Sequence, residues 1–260
     1  MKKIFPMIAA AVLSLSGCGT ANENTAETTS PETSSAEVTE ETAMREIDPN
    51  KPVVALTFDD GPNTVTTVQV LNKLEEYGVT ASFFLVGTNI TDETKDVIKR
   101  AYDMGCEIDN HSKTHSYMNQ MTADEIKEEI SYVDDKLVEM IGKPAPFFRP
   151  PYIAVNDTMY QNIDKPFICG YGCDDWDPKV TIDERVERTL DQIQDGAIIL
   201  LHDSNGNFQT VAALDRIIPA LQEQGYQFVT VTELFNVKGI EISGDDTNLY
   251  SLVQSSSEQN

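Results

Sequence analysis

The chain has 260 residues, of which 40% are hydrophobic, and its 43 acidic residues against 19 basic ones give a net charge of -24. This length allows one large domain or two small ones. The charge excludes nucleic acid as a partner, because phosphate backbones are bound by basic patches, and it would repel an anionic membrane surface.

Residues 1–18 predict a lipoprotein signal peptide. Lys2 and Lys3 precede an apolar run at 4–15, which has the length of a signal-peptide core and is short for a membrane span. The string LSGC that follows resembles a bacterial lipobox, in which Cys18 would be lipidated; cleavage of an ordinary signal peptide nearby is the alternative. A lipid on Cys18 would anchor the protein to the bacterial cell membrane, on the extracytoplasmic side, without a spanning segment.

Two further segments flank a predicted domain at 51–236. Residues 19–50 are rich in Thr, Glu, Ser and Ala and contain no aromatic residue. Such a segment cannot bury enough apolar surface to offset the entropy of ordering it, so we expect a disordered acidic linker. Residues 237–260 are interpreted as a polar C-terminal tail.

Within the domain, apolar runs alternate with segments of helical periodicity. Strands are predicted at 53–58, 81–87, 106–111, 147–149, 167–172, 197–202 and 227–231. Helices are predicted at 67–78, 92–105, 122–141, 156–164, 183–195 and 210–225, the third opened by a capping box and the last bent or broken at its proline. Strands that are apolar throughout predict a parallel sheet covered by helices, either a barrel or a doubly wound sheet.

Titratable side chains follow the predicted strands directly. In both of these folds, functional groups collect at the carboxyl ends of the strands, so we expect these side chains to share one site. They are Asp59, Asp60, His111, Arg149, Asp174, Asp175 and His202.

A metal site is predicted from two of the three histidines in the chain. His111 and His115 are four residues apart, which places both on one face of a helical turn. With an aspartate at another strand end they would form an Asp-His-His set, and a catalytic metal needs three such ligands and an open position. Zinc is the default divalent metal for these ligands, and cobalt, nickel or manganese would also fit. Zinc would lower the pKa of water and polarise a carbonyl.

Each of these features also has a purely structural explanation. Asp-Gly-Pro is an ordinary turn sequence, so Asp59 and Asp60 could belong to a solvated turn. His111 and His115 could be two loop histidines, and His202, which follows an apolar run, could be a buried core histidine. Their shared position after strands favours a site.

Five strings, in order, resemble polysaccharide deacetylases of carbohydrate esterase family 4, the NodB-homology domain. They are TFDDGP (57–62), HSKTH (111–115), RPPY (149–152), DW (175–176) and LLH (200–202), and the resemblance covers about residues 50 to 235. The ordered set is far more specific than any single string. It implies an α/β fold, an irregular (β/α) barrel of about seven parallel strands surrounded by helices.

The resemblance also implies a role for each matching catalytic residue. Asp60, His111 and His115 would hold the metal. Asp59 would be the base that activates the attacking water, and His202 would be the acid that protonates the leaving group.

Further matching residues would bind or position the substrate. Arg149 would pair with Asp175 and help to position Asp59. The string departs from the family's usual D-x-x-D-W at Gly172, which leaves Asp174 as the alternative partner of Arg149. The remaining substrate-binding residues implied are Pro151, Tyr152 through its backbone N–H at the oxyanion, and Trp176 and Leu201 around the acetyl methyl group.

These features predict a metal-dependent hydrolase that removes N-acetyl groups from N-acetylglucosamine-type residues of a cell-envelope glycan, peptidoglycan or chitooligosaccharide. One alternative is an O-acetyl esterase on acetylated xylan, whose leaving group is an alcohol. A second is a catalytically idle glycan-binding module. We expect a monomer that has an acetylated polysaccharide as substrate and meets the membrane through its lipid anchor only.

Overall fold

The computed structural model describes residues 46–244 and 246–255. The predicted signal peptide with Cys18 lies outside the described residues, as does most of the predicted linker. Within the described part of the chain, no helix combines the length and the apolar character that a membrane span requires.

Strands and helices alternate along most of the described chain. The strands are β1 Val53–Asp59, β2 Ser82–Leu85, β3 Glu107–Asn110, β4 Phe167–Ile168, β5 Tyr171–Gly172, β6 Ala197–His202, β7 Gln227–Val229 and β8 Leu249–Tyr250. The helices are α1 Thr66–Tyr77, α2 Lys95–Asp103, α3 Ala123–Ile141, α4 Asp157–Asn162, α5 Ile182–Leu190, α6 Phe208–Glu223 and α7 Val231–Lys238.

The main sheet is parallel and has the order β3-β2-β1-β6-β5, with β7 also paired to β1. Every residue of β1 is buried. Val54, Leu56 and Phe58 pack in the cluster that includes residues of α1, α2 and α6, whereas Val53 and Ala55 join a second cluster with residues from the other strands. Since side chains alternate along a strand, Asp59 continues the inner row at its end. The predicted (β/α) barrel is confirmed.

The C-terminal segment closes the barrel, which corrects the prediction of a polar tail from residue 237. Phe148 bridges β3 to β4, and β4 pairs with β8. The Ile198 N–H then donates to the Ser251 carbonyl at 3.0 Å, which joins this segment to β6. Val253, which is 2% exposed, packs in the second cluster, with Val53 and Ala55.

Other differences from the predicted elements have local causes. The predicted strand at 167–172 is divided at Gly170, whose φ is +145° and where a Cβ would lie 2.8 Å from the Cβ of Leu200. The predicted strand at 147–149 is reduced to single-residue bridges at Phe148. Helix α6 runs unbroken through Pro219, with seven of its residues buried against the sheet. The capping box predicted at Thr122 is present.

Gly196 seats the C-terminal segment against β6, and its replacement tests that closure. A Cβ at Gly196 would lie 2.0 Å from the carbonyl oxygen of Val253, and the φ of Gly196 is +89°. We expect Gly196→Ala to lower the free energy of unfolding by about 3 kcal/mol, because left-handed strain adds to steric overlap.

Gly206→Ala is the matched control, since its φ is +93° but nothing lies within 4 Å of the added Cβ. Gly206→Ala should lower the free energy of unfolding by about 1 kcal/mol, the cost of the left-handed backbone alone. Urea denaturation of both variants measures the difference, and equal losses would contradict the proposed close contact.

Candidate active site

The ends of β1 and β6 bring two of the predicted catalytic residues together. Asp59 and His202 are partners in the parallel register of these strands, and each is the last residue of its strand. They open into a cavity of about 490 Å³. The residues lining it are Asp59, Asp60, His111, His115, Pro150, Tyr152, Ile153, Gly172, Asp174, Asp175, Trp176, Leu200 and His202.

Asp60, His111 and His115 form a cluster that could hold a metal ion. One nitrogen or oxygen atom from each lies within 4.8 Å of the others. The Nε2 atoms of His111 and His115 lie 3.7 and 3.4 Å from Oδ1 of Asp60. An aspartate and two imidazoles are suitable ligands for zinc and for neighbouring divalent metals.

The orientation of His111 fits a metal ligand. Its Nδ1 lies 2.7 Å from the Arg149 carbonyl oxygen, and because a carbonyl can only accept, Nδ1 carries the proton and the lone pair of Nε2, on the side of Asp60, is available to a metal ion. A backbone carbonyl on the far nitrogen of a ligating histidine is the usual means of fixing its tautomer. Burial lowers the pKa of His111, which favours the neutral form that a metal needs.

His115 reaches the cluster from a loop, so the prediction of a helical turn is wrong. Residues 111–117 contain no helix, and Ser112 and His115 have φ values of 69° and 55°. The Ser112 hydroxyl accepts from the His115 N–H at 3.0 Å. The N–H and hydroxyl of Thr114 donate to the Glu129 carboxylate of α3 at 2.8 and 2.9 Å, which fixes the loop to the helix.

Asp59 is held as a carboxylate by Arg149. Nη1 of Arg149 donates to Oδ1 of Asp59 at 2.5 Å, and Nη2 donates to the Cys169 carbonyl oxygen. Both side chains are almost fully buried. Burial by itself would raise the pKa of Asp59, but the charge of Arg149, aided by His111 and His202, outweighs it and keeps that pKa below its ordinary value.

His202 is paired with Asp175. The Asp175 carboxylate accepts from the His202 ring Nδ1 at 2.7 Å and from its backbone N–H at 2.8 Å. Burial would lower the pKa of His202, but the hydrogen bond and charge of Asp175 raise it to about 9. The imidazole is therefore protonated at neutral pH, with Nε2–H left to donate.

The predicted pair of Arg149 with Asp175 is therefore wrong, and so is the alternative with Asp174. Arg149 contacts Asp59, as expected from its predicted role in positioning that residue. Asp174 forms an ion pair with Arg188 at 3.0 Å on the surface. The reason is that each group has other partners: Arg149 donates to Asp59 and to the Cys169 carbonyl, whereas the Asp175 carboxylate accepts from His202 and Thr210.

Some of the predicted substrate-binding residues line the cavity and others lie behind it. Tyr152 and Trp176 line it and are 54% and 65% exposed. Leu201 is 1% exposed and packs in the helix-facing core, and Leu200 lines the cavity instead. Pro151 is buried and its neighbour Pro150 lines the wall, while Arg149 has no exposed surface for contact with substrate.

Two residues behind His202 were not predicted. The Thr210 hydroxyl donates to Oδ2 of Asp175 at 2.7 Å, and Nδ2 of Asn207 donates to the His202 carbonyl oxygen at 2.9 Å. Both come from the start of α6, and no motif marks them. They orient the Asp175 carboxylate toward the imidazole.

Asp175→Asn should move the pH dependence of hydrolysis. The acid form of His202 predominates below its pKa, which is about 9, so kcat/KM should fall as pH rises through that value. Without the carboxylate charge this pKa falls to about 6.5 or lower, so at pH 8 we expect a loss of about 30-fold that shrinks toward pH 6.

Thr210→Val is the matched control, because it removes one donor to Asp175 and keeps the charge. Its alkaline limb should remain near that of the parent protein. A pH profile that is the same for Asp175→Asn and the parent would contradict the role of His202 as an acid.

Comparison with known proteins gives consistent matches. A family model described as polysaccharide deacetylase matches residues 46–165. A bifunctional xylanase/deacetylase of Pseudobutyrivibrio xylanivorans is 50% identical over 191 residues, which are 74% of this chain and 32% of that protein. A peptidoglycan-N-acetylglucosamine deacetylase of Bacillus cereus is 35% identical over 202 residues, which cover 74% of this chain and 92% of that protein.

A solved structure extends the comparison. A family 4 acetyl xylan esterase from Clostridium thermocellum, in complex with a cobalt ion, is 41% identical and has a TM-score of 0.76, covering 77% of this chain and 98% of that one. The chain thus spans less than a third of the Pseudobutyrivibrio protein and nearly the whole of the other two.

Proposed function

The chain belongs to the polysaccharide deacetylase family, and from this premise we propose that it hydrolyses acetyl groups of a polysaccharide with the help of a divalent metal. One observation carries the proposal. Three features face the same cavity: a cluster of metal-ligand type, an ionised aspartate and a protonated histidine. The aspartate and the histidine each form an ion pair with a buried partner.

Members of this family use a divalent metal, and Asp60, His111 and His115 would hold it here. Zinc is our choice for this donor set, with cobalt, nickel and manganese as alternatives. When bound, the metal would supply Lewis acidity toward the acetyl carbonyl and toward water.

The proton transfers fall to Asp59 and His202. Asp59, ionised through Arg149, would accept a proton from the attacking water. His202, protonated through Asp175, would donate its Nε2 proton to the leaving oxygen or nitrogen. Because each residue has a separate counter-charge, the base and the acid keep opposite protonation states at neutral pH.

The acetyl group would lie against the apolar wall of the cavity. Trp176 and Leu200 contribute the aromatic and aliphatic parts of that wall. The backbone N–H of Tyr152 would donate to the developing oxyanion, as the family resemblance implies.

For the substrate we place acetylated xylan first, which reverses the order predicted from the sequence. The relatives at 50% and 41% identity are a xylanase/deacetylase and an acetyl xylan esterase by name. The cavity also favours a neutral glycan, since among the described residues that line it there are four aspartates and no lysine or arginine. The reaction would then be O-acetyl ester hydrolysis.

Removal of N-acetyl groups from an envelope glycan is the second candidate. It is supported by the 35% identity to a peptidoglycan-N-acetylglucosamine deacetylase, of which this chain covers 92%. The predicted lipid anchor at Cys18 would keep the domain beside such a glycan.

Parallel acetate-release assays test the proposal. The purified protein with zinc or cobalt is assayed on acetylated xylan, on N-acetylated chitooligosaccharides and on peptidoglycan. We expect the highest kcat/KM on acetylated xylan. Preference for an N-acetylated substrate would select the second candidate, and release from none under either metal would favour a glycan-binding module.

A further inference from the structure

Two tyrosines form an exposed aromatic pair beside the cavity. The rings of Tyr117 and Tyr152 stack with centroids 4.1 Å apart and planes inclined by 16°. They remain 49% and 54% exposed, among the few large apolar side chains so exposed in the described chain. A large aromatic surface left open to solvent beside a cavity marks a place where a ligand binds.

The pair begins at the metal-type cluster and extends away from it. The Tyr152 ring contacts the His115 ring edge-on, with centroids 4.7 Å apart and planes at 62°. Tyr152 lines the cavity, and Tyr117, which no motif marks, stacks on the Tyr152 ring and is not itself among the lining residues. The stacked rings thus continue the cavity wall outward by one ring.

The backbone that places Tyr152 is strained. Tyr152 and Ile153 have φ values of 57° and 54°. Left-handed backbone is unfavourable for a β-branched isoleucine, and such residues cost about 1–3 kcal/mol each. Two of them in succession, at the rim of the cavity, indicate that this backbone serves a purpose other than stability, and it carries both the proposed oxyanion N–H and the ring of Tyr152.

We propose that the outer face of the Tyr117 ring, backed by the stacked Tyr152 ring, is a platform for the sugar unit that neighbours the acetylated unit. This inference rests on the proposed function, and it adds the part of the substrate that the catalytic residues do not touch. The faces of a pyranose ring present C–H groups that pack on aromatic rings, while its hydroxyls stay at the edge and in water. Tyrosine suits such a site because its hydroxyl remains solvated or bonds the sugar.

The charge of the chain and of the cavity wall indicates the class of glycan. Acidic residues predominate in the chain as a whole and on the cavity wall. A polyanionic glycan would be repelled. The platform is therefore assigned to a neutral chain of pyranose units, such as a xylo-oligosaccharide.

Tyr117→Ala, with Tyr117→Phe as the matched control, tests the platform. We compare kcat/KM on an acetylated xylo-oligosaccharide with kcat/KM on 4-nitrophenyl acetate, which has no neighbouring sugar. The ratio of the two should fall about tenfold in Tyr117→Ala and stay near that of the parent protein in Tyr117→Phe. An unchanged ratio in Tyr117→Ala would overturn the inference.

Fluorescence separates this outcome from a failure of the proposed function. Trp176 is the only tryptophan of the chain and lines the cavity, so it reports glycan binding without catalysis. The dissociation constant for a xylo-oligosaccharide should rise about tenfold in Tyr117→Ala. A parent protein that binds the glycan and releases no acetate would contradict only the proposed function, and equal binding by parent and Tyr117→Ala would contradict the platform. Circular dichroism verifies that the Tyr117→Ala variant is folded.

Discussion

Asp59→Asn is expected to lower kcat for acetate release by about 10³-fold, which lies within the contribution of a general base. Asparagine has nearly the same size and keeps an oxygen for Nη1 of Arg149, but it cannot take a proton from water. Steady-state kinetics at saturating acetylated substrate measures the loss. Metal content should stay unchanged, because Asp59 is outside the Asp60–His111–His115 cluster.

Asp174→Asn is the matched control for this substitution. Asp174 also lines the cavity, but its carboxylate pairs with the surface residue Arg188 and contacts neither proposed proton-transfer group. Its φ of 59° is one that asparagine tolerates well. We expect kcat within twofold of the parent protein. A drop of tenfold or less for Asp59→Asn, or an equal drop for both variants, would remove Asp59 from the role of base.

The parts of the site that could be predicted are those that strand ends determine. Asp59 and His202 each end a strand with a clear apolar pattern, His111 follows β3 directly, and parallel strands bring their carboxyl ends to one edge. Their convergence therefore required only the order of the strands.

The parts that could not be predicted depend on loop conformation and on burial. His115 reaches the cluster through left-handed residues that the spacing does not reveal, so a helical turn was the wrong explanation for a correct proximity. The prediction of Leu201 as a wall residue is wrong because side chains alternate along β6, so that Leu200 and His202 line the cavity while Leu201 packs with Phe58 in the helix-facing core. Arg149 and Asp175 are both buried, and the motif does not reveal that each has a different partner, Asp59 for the one and His202 for the other.

The C-terminal closure shows a similar limit at the level of the fold. The segment at 249–253, LYSLV, is short and apolar, and it completes the barrel through backbone hydrogen bonds to Cys169, Gly196 and Ile198. Five residues are too few for a hydrophobic period to reveal these pairings. The domain therefore extends beyond residue 236, where the apolar periodicity ends.

Two buried ion pairs divide the chemistry between the two sides of the cavity. Arg149 lowers the pKa of Asp59, and Asp175 raises that of His202, so the two pairs move the pKa values apart. The two pairs also act on each other, since the charge of His202 contributes to the lowered pKa of Asp59 and the charge of Asp59 to the raised pKa of His202. In each case the residue's own partner, Arg149 or Asp175, has the larger effect.

Metal removal and His115→Ala are expected to abolish activity through the same site. After chelation, acetate release by the parent protein should fall by more than about 10³-fold and return with zinc or cobalt. His115→Ala leaves two ligands, Asp60 and His111, so its affinity for the metal should fall by more than about 100-fold, beyond the loss typical of a supporting residue. Its activity should not return at metal concentrations that restore the parent.

His202→Ala separates metal binding from catalysis. It removes a histidine of the same cavity that is not in the ligand cluster, so it should keep a metal content near one ion per chain and lose kcat by about 10²–10⁴-fold. Elemental analysis and the shift of Tm on adding metal measure binding independently of activity, since a ligand that binds the folded state stabilises it. Two results would exclude the metal site. One is parent activity that survives chelation, and the other is a His115→Ala variant that binds the metal as tightly as the parent protein does.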